Sequence, residues 1–136
     1  MRCKLKIKPL SVNSGEAKNK YKASIKRKLP KSFTSHAGKL ALTFDFYFSN
    51  PDQDYDSPIK YTQDAICEKY NLEDKHIYYG QQRKHITKKG KEKIVFTLEP
   101  LSTYRLKQAW KQIRIIFVII LVYLLAILSE SLILQL

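Results

Sequence analysis

The chain has 136 residues, of which 25 are lysine or arginine and 12 are acidic, so its formal net charge is +13. This length predicts one small domain with room for an appendage, and this charge favours a polyanionic partner. The basic N-terminus is not followed by an apolar segment, so no secretory signal is expected. The two cysteines, Cys3 and Cys67, form no zinc-binding spacing and are expected to be reduced thiols in a cytosol.

The first part of the chain predicts a strand followed by a short helix. Apolar and lysine side chains alternate over residues 3–8, the period of a half-buried strand. After a loop at 11–18, apolar residues four apart over 19–29 predict an amphipathic helix, which Pro30 ends. The opposite face of this helix is basic, and four of its residues are expected to contact nucleic acid: Lys20, Lys22, Lys26 and Arg27.

The middle of the chain predicts a buried strand and a second helix. Over residues 39–49 every second side chain is apolar, which indicates a strand with one face in the core. An acidic loop (residues 50–56) follows, with Ser57 as the predicted N-cap and Pro58 as the first residue of a helix over 58–70.

The next segments read as two further strands, at residues 77–86 and 93–98. A basic turn containing Gly90 is predicted to join them as a hairpin. The order β-α-β-α-β-β predicts an α/β (α+β) domain over residues 1–101, with two helices on a small mixed sheet. Four more residues of this part are expected to bind nucleic acid: Arg83, Lys84, Lys88 and Lys89.

The scarce acids of this basic chain gather just before and along the second predicted helix. Asp54 and Asp56 are two apart in an extended segment, so both side chains leave the same face, close to a helix N-terminus that favours anions. Lys60 and Asp64 are four apart on the helix and share a face. If the next strand lies beside the strand that ends at residue 49, Asp74 is brought back towards the first pair.

Three carboxylates around one point, with a lysine beside them, predict a Mg²⁺ site. Carboxylate oxygens are the natural ligands of this hard ion, which activates water and neutralises charge on a phosphate. The alternative is that Asp52, Asp54 and Asp56 form only a solvated acidic loop.

The order and spacing of these residues resemble the RusA-like Holliday-junction resolvases, small endonucleases of phages and bacteria. Asp54 and Asp56 match the family's Asp-x-Asp pair, and Lys60 matches the lysine four residues further on. Asp64 matches an aspartate on the same helix, and Glu73-Asp74 match a later acidic pair.

The start of the chain carries further parts of this resemblance, which covers roughly residues 4–99. Residues 7–13 (IKPLSVN) are similar to the opening strand and turn of one branch of the family, and 21–23 and 29–30 to its next helix. The resemblance implies a homodimeric, Mg²⁺-dependent endonuclease that cuts four-way DNA junctions symmetrically in recombination and repair.

The resemblance also implies a role for each matched residue. Asp54, Asp56 and Asp74 would be the catalytic metal ligands, and Lys60 would stabilise charge on the scissile phosphate. Asp64 and Glu73 would support them. Another hypothesis is a non-catalytic, basic DNA-binding relic of the same fold.

Residues 102–136 predict a separate C-terminal hydrophobic helix. Fourteen apolar residues run without a break over 115–128, which is about 21 Å of helix against a hydrocarbon core of about 30 Å. Lys107, Trp110 and Arg114 precede the run, an arrangement typical of a cytoplasmic membrane interface.

The tail therefore predicts a cytoplasmic domain tethered to a membrane through residues 113–136. Two alternatives remain for it: a helix that packs on the domain or on a partner, and an out-of-frame extension of a decayed prophage gene. The corresponding functional alternative is a small tail-anchored membrane protein whose basic domain faces anionic lipid.

Overall fold

The computed structural model describes residues 1–10, 14–33, 38–54 and 56–133, without the side chains of Ser57 and of 130–133. The expected turn at 11–13 and the middle residue of the Asp-x-Asp pair, Tyr55, lie outside the described residues. The chain divides into two compact units, Met1–Leu101 and Ser102–Leu136. In chain order, the elements are β1 (Arg2–Leu5), α1 (Gly15–Lys28), β2 (Leu40–Phe48), α2 (Asp56–Tyr70), β3 (Ile77–Ile86), β4 (Lys93–Pro100) and α3 (Leu101–Ile133).

The first unit has the predicted α+β fold, with a four-stranded mixed sheet in the order β1-β4-β2-β3. Strand β3 runs parallel to β2, and β4 runs antiparallel to both β1 and β2. The predicted hairpin between β3 and β4 is wrong, because β2 lies between them. Strand β4 alternates buried and partly exposed residues over most of its length, as suits a central strand, whereas no residue of β3 is buried, as suits an edge.

The core lies on one face of this sheet, under α1 and α2. The inward side chains of β2 are at most 1% exposed, and they are Leu40, Leu42, Phe44, Phe46 and Phe48. Ile25 of α1 and Ile66 of α2 are fully buried in the same cluster. Burial of each such side chain stabilises the fold by roughly 1.5–3 kcal/mol. The two helices are also joined by a buried hydrogen bond of 2.9 Å between the Tyr21 and Thr62 hydroxyls.

Two predicted boundaries near the N-terminus are wrong. Helix α1 begins at Gly15, inside the predicted loop, because the Ser14 hydroxyl accepts the backbone N–H of Ala17 at 3.3 Å and caps the helix. Strand β1 ends at Leu5, three residues early, since the Ile7 N–H donates to the Leu5 carbonyl at 2.9 Å in a tight turn.

The start of α2 also differs from the prediction. The helix begins at Asp56, so Ser57 lies inside its first turn and the predicted capping role of Ser57 is wrong. Asp54 performs a capping function instead, because its carboxylate accepts the backbone N–H of Asp56 at 3.2 Å.

The second unit is dominated by the single helix α3, which confirms the predicted C-terminal hydrophobic helix. Its segment Leu101–Ser129 is long and apolar enough to cross a membrane by length and composition. Its apolar side chains are exposed on all sides, with Phe117 and Tyr123 about two-thirds exposed. This helix therefore has no apolar stripe set against a polar face of the kind that packs on a soluble domain.

Ending the chain after Leu101 should leave a soluble domain that unfolds in one cooperative transition, because the whole core cluster precedes that point. Gel filtration without detergent and thermal unfolding followed by circular dichroism would measure this. A chain ending after Val95 is the control and should not fold, since it lacks the buried Phe96 and Leu98 of β4. An unfolded product from the first truncation would show that α3 belongs to the domain core.

Candidate functional site

Helix α2 and strand β3 border an open cleft of about 530 Å³ in the first unit. The described residues that line the cleft are Asp56, Ile59, Lys60, Gln63, Asp64, Asp74 and Gln82. The first five form one stripe of α2, because residues three and four apart lie on the same side of a helix. The cleft therefore collects three carboxylates, one ammonium group and two amides.

Asp74 reaches the cleft through the turn that ends α2. Asn71 adopts a left-handed conformation (φ 50°), and the Leu72 N–H donates to the Cys67 carbonyl at 2.9 Å, which closes the helix. Asp74 then begins a one-turn 3-10 helix that leads into β3. The chain then returns into the sheet as β3, parallel to β2, and Asp74 lines the same cleft as Asp64.

The acidic loop before α2 is fixed to the domain at two points. The buried Gln53 side chain donates to the Pro9 carbonyl at 3.0 Å. The Lys84 ammonium group donates to the carbonyls of Pro51 and Gln53 at 2.5 and 2.9 Å. Lys84, expected on the sequence to contact nucleic acid, therefore holds the loop that positions Asp56.

Two of the predicted acidic site residues are not among the described residues that line the cleft. Asp54 is exposed, and its carboxylate accepts the Asp56 N–H at the start of α2. Glu73 pairs with Lys75 at 2.5 Å, and this ammonium group lowers the pKa of the Glu73 carboxyl.

Within the described parts of the chain, no three His, Cys, Asp or Glu side chains lie close enough together to hold a metal ion. Mg²⁺ does not require such a cage, since it usually keeps several waters and binds through one or two carboxylates and substrate phosphates. Asp56, Asp64 and Asp74 present hard oxygen donors to one cleft. One or two of these carboxylates together with water are the kind of ligand set that a partly hydrated Mg²⁺ takes.

Cys67 lies one turn after Asp64 on α2 and is 5% exposed. Burial, a hydrogen bond with the Asp74 carboxylate and the nearby charges of Asp64 and Glu68 raise the pKa of the Cys67 thiol to about 12. The thiol is therefore a neutral donor at physiological pH and restrains Asp74.

Sequence reasoning missed three residues of this site. Gln63 and Cys67 continue the helical stripe of Lys60 and Asp64, so the spacing alone would have found them. Gln82 lies opposite Phe44 in the parallel register of β3 with β2, and the predicted hairpin concealed this position.

The basic residues of α1 are largely engaged within the domain. Lys22 and Lys26 both pair with Glu68 of α2, and the Lys22 ammonium group lies 4.0 Å from the Asp64 carboxylate. Lys20 pairs with Glu16 one turn away at 2.6 Å, and both side chains are exposed. Lys22 and Lys26 thus hold α1 against the helix that carries the cleft.

Arg83 is also engaged within the domain, on the outer face of the sheet. Its guanidinium group makes a two-point contact with Asp45 at 2.7 and 3.1 Å, and His85 lies 2.7 Å from the same carboxylate. Hydrogen bonds and charge from these two neighbours hold the pKa of Asp45 below its usual value, against the effect of burial. The remaining expected nucleic-acid contacts, Arg27, Lys88 and Lys89, are exposed.

No protein-family model matches the chain, and no curated protein matches it. The resemblance to RusA-like resolvases therefore stays a prediction from residue order and spacing. What the cleft does is inferred from its own residues.

Replacing Cys67 with alanine should change how stability depends on pH. The folded thiol has a pKa of about 12 against 9.0 for a model thiol, so its contribution is complete below pH 9 and is lost as pH rises towards 12. Between pH 8 and pH 10 the parent should lose about 1 kcal/mol more unfolding free energy than Cys67→Ala. Urea denaturation at both pH values measures this. An equal loss in the two proteins would contradict a raised pKa.

Proposed function

We propose that the protein is a metal-dependent endonuclease that cuts four-way DNA junctions, with the cleft between α2 and β3 as its active site. The observation that carries the proposal is the convergence of Asp56, Lys60, Asp64 and Asp74 on one cleft, from two separate segments of the chain. Carboxylates beside an ammonium group are the side chains that phosphodiester cleavage with Mg²⁺ requires.

Asp56, Asp64 and Asp74 would bind a partly hydrated Mg²⁺, one or two of them directly and the others through its waters, and the bound ion would supply Lewis-acid chemistry at the scissile phosphate. Asp74 is restrained by the Cys67 thiol, and Asp56 is restrained by the start of α2, so their carboxylates are placed before substrate arrives. Asp54 contributes by capping this helix.

Lys60 is exposed on the same face of α2 as Asp64, and it lines the cleft. A positive charge at this position stabilises the extra negative charge that develops on the phosphate in the transition state. The amide groups of Gln63 and Gln82 can donate to the phosphate oxygens and orient them.

Branched DNA is the proposed substrate because the chain combines a net charge of +13 with a sheet face and turns rich in lysine. Contacts of this kind bind the phosphate backbone and read DNA by its shape. Symmetrical cleavage of a four-way junction needs two active sites, so we propose a homodimer as the active form.

Asp56→Asn and Asp74→Asn should each lower cleavage of a synthetic four-way junction at least about 100-fold, while junction binding stays equal or becomes tighter. Each change removes a proposed ligand and also removes a negative charge that repels phosphate. Gel assays of cleavage with Mg²⁺ and of binding with EDTA would measure both effects.

Asp52→Asn is the matched control for this experiment, because Asp52 is an exposed acid of the same loop and is not among the described residues of the cleft. Its cleavage rate should equal that of the parent. Equal activity in all three variants would place the active site elsewhere. A parent that binds the junction and never cuts it would support the non-catalytic relic.

A second candidate property is attachment to a membrane through α3, with the domain in the cytoplasm. Four basic residues and no acid precede the apolar run of the helix: Arg105, Lys107, Lys111 and Arg114. Basic residues on one flank retain that flank on the cytoplasmic side, and Trp110 suits the interface between lipid and water.

The full-length protein should float with neutral lipid vesicles in a density gradient and remain with them in 1 M salt. The chain that ends after Leu101 should stay at the bottom of the gradient, because it lacks the exposed apolar helix. Release of the full-length chain by salt would mean that only charge attraction to the vesicle surface holds it.

A further inference from the structure

A second cavity, of about 380 Å³, lies at the end of the sheet where β4 begins. Four lysines line it, and we call it the lysine cavity: Lys4, Lys6, Lys91 and Lys93. Lys4 lies on β1 and Lys6 lies in the turn that ends it, and both line the cavity. Because Leu5 lies opposite Ile94, the antiparallel register brings Lys6 beside Lys93.

The remaining lysine comes from the turn between β3 and β4. The Lys91 N–H donates to the Lys88 carbonyl at 3.0 Å, and Gly90 supplies the left-handed conformation (φ 81°) that the turn requires. The Thr87 N–H donates to the Phe48 carbonyl at 2.7 Å, so this turn is fixed to the end of β2. The lysine cavity is therefore built from three segments: β1 with the turn after it, the turn between β3 and β4, and the start of β4.

The single acid of the cavity, Glu92, offsets only one of the four lysine charges. The Glu92 carboxylate accepts hydrogen bonds from the Ser49 hydroxyl and from the backbone N–H groups of Gly90 and Glu92, which lower its pKa. Within the part of the chain that the structure describes, no ion pair engages the four lysines. Lys93 is held by a different contact, since its ammonium group lies 4.0 Å from the centre of the Tyr47 ring.

The positive charges of the four lysines that line the cavity repel each other, and a polyanion relieves that repulsion. Lysine binds phosphate as a compact charge with three donors. We propose that the lysine cavity binds a backbone phosphate of DNA that flanks the segment held in the cleft. The inference rests on the proposed function, which supplies the DNA.

The surroundings of the cavity within the first unit favour DNA over a lipid headgroup. The cavity lies where β4 begins, opposite the last residues of β2. It shares its end of the sheet with the acidic loop, which follows β2 and leads to Asp56.

The test compares two double variants of the full-length protein in detergent: Lys6→Gln with Lys91→Gln, and the control Lys31→Gln with Lys69→Gln. All four residues are exposed and each pair removes two charges, but only the first pair lines the cavity. Binding to a synthetic four-way junction is measured by fluorescence anisotropy in EDTA over a series of salt concentrations. Thermal unfolding confirms that each variant is folded.

The cavity variant should bind the junction about tenfold or more weakly than the parent, and its salt slope should fall by about 1, as loss of one phosphate contact requires. The control should stay within about threefold of the parent, with an unchanged slope. Any of three results would overturn the proposal. These are equal effects of the two variants, no effect of the cavity variant, and no junction binding by the parent.

Two further measurements distinguish failure of the nuclease proposal, and binding of lipid headgroups, from failure of the phosphate site. Because binding is measured without Mg²⁺, a parent that binds the junction but does not cut it refutes the nuclease proposal and leaves the phosphate site supported. Protein reconstituted in neutral vesicles is also mixed with phosphatidylserine vesicles. If the cavity variant loses vesicle bridging while junction binding is unchanged, the cavity binds lipid headgroups and the proposal is overturned.

Discussion

The parallel pairing of β2 with β3 is the constraint from which the position of the cleft follows. Two parallel neighbours require a crossover, and α2 supplies it by covering the phenylalanine-rich face of β2. The crossover carries Asp56 at its start and returns the chain at Asp74, beside the same helix. Asp56 and Asp74, eighteen residues apart in sequence, thus line the same cleft because the helix that closes the core also forms the crossover.

Charge within the first unit is divided between structure and surface. Glu68 of α2 forms ion pairs with two lysines of α1, and Asp45 contacts both Arg83 and His85 on the outer face of the sheet. Partly exposed pairs like these contribute little to stability, so hydrophobic packing holds the domain and the pairs orient side chains. The cations without such partners are the ones available to a polyanion, and the lysine cavity gathers four of them.

Local patterns predicted most of this fold, and tertiary pairing decided the rest. The alternation of β2 and the periodicity of α2 are visible in the sequence because each reflects burial of one face. The sequence does not show that β3 is an edge strand. The turn at Gly90 can connect β3 to β4 when they are neighbours, and it can equally connect them across the end of β2, which is the arrangement in the structure. For the site, helical spacing placed Lys60 and Asp64 on one face, whereas the capping bond of Asp54 depends on where α2 begins.

Helix α3 is long enough to cross a membrane, although its unbroken apolar run is not. The fourteen residues of the run give about 21 Å of helix, too short for a hydrocarbon core of about 30 Å. The helix continues to Ile133, so the stretch from Ile115 spans about 28 Å and leaves Glu130 near its far end. A charge at that depth lies close to the opposite interface, where its penalty is small, and Arg114 at the near end can extend its side chain towards water. By length and composition α3 can therefore cross a membrane, with its charged residues near the two ends of the span.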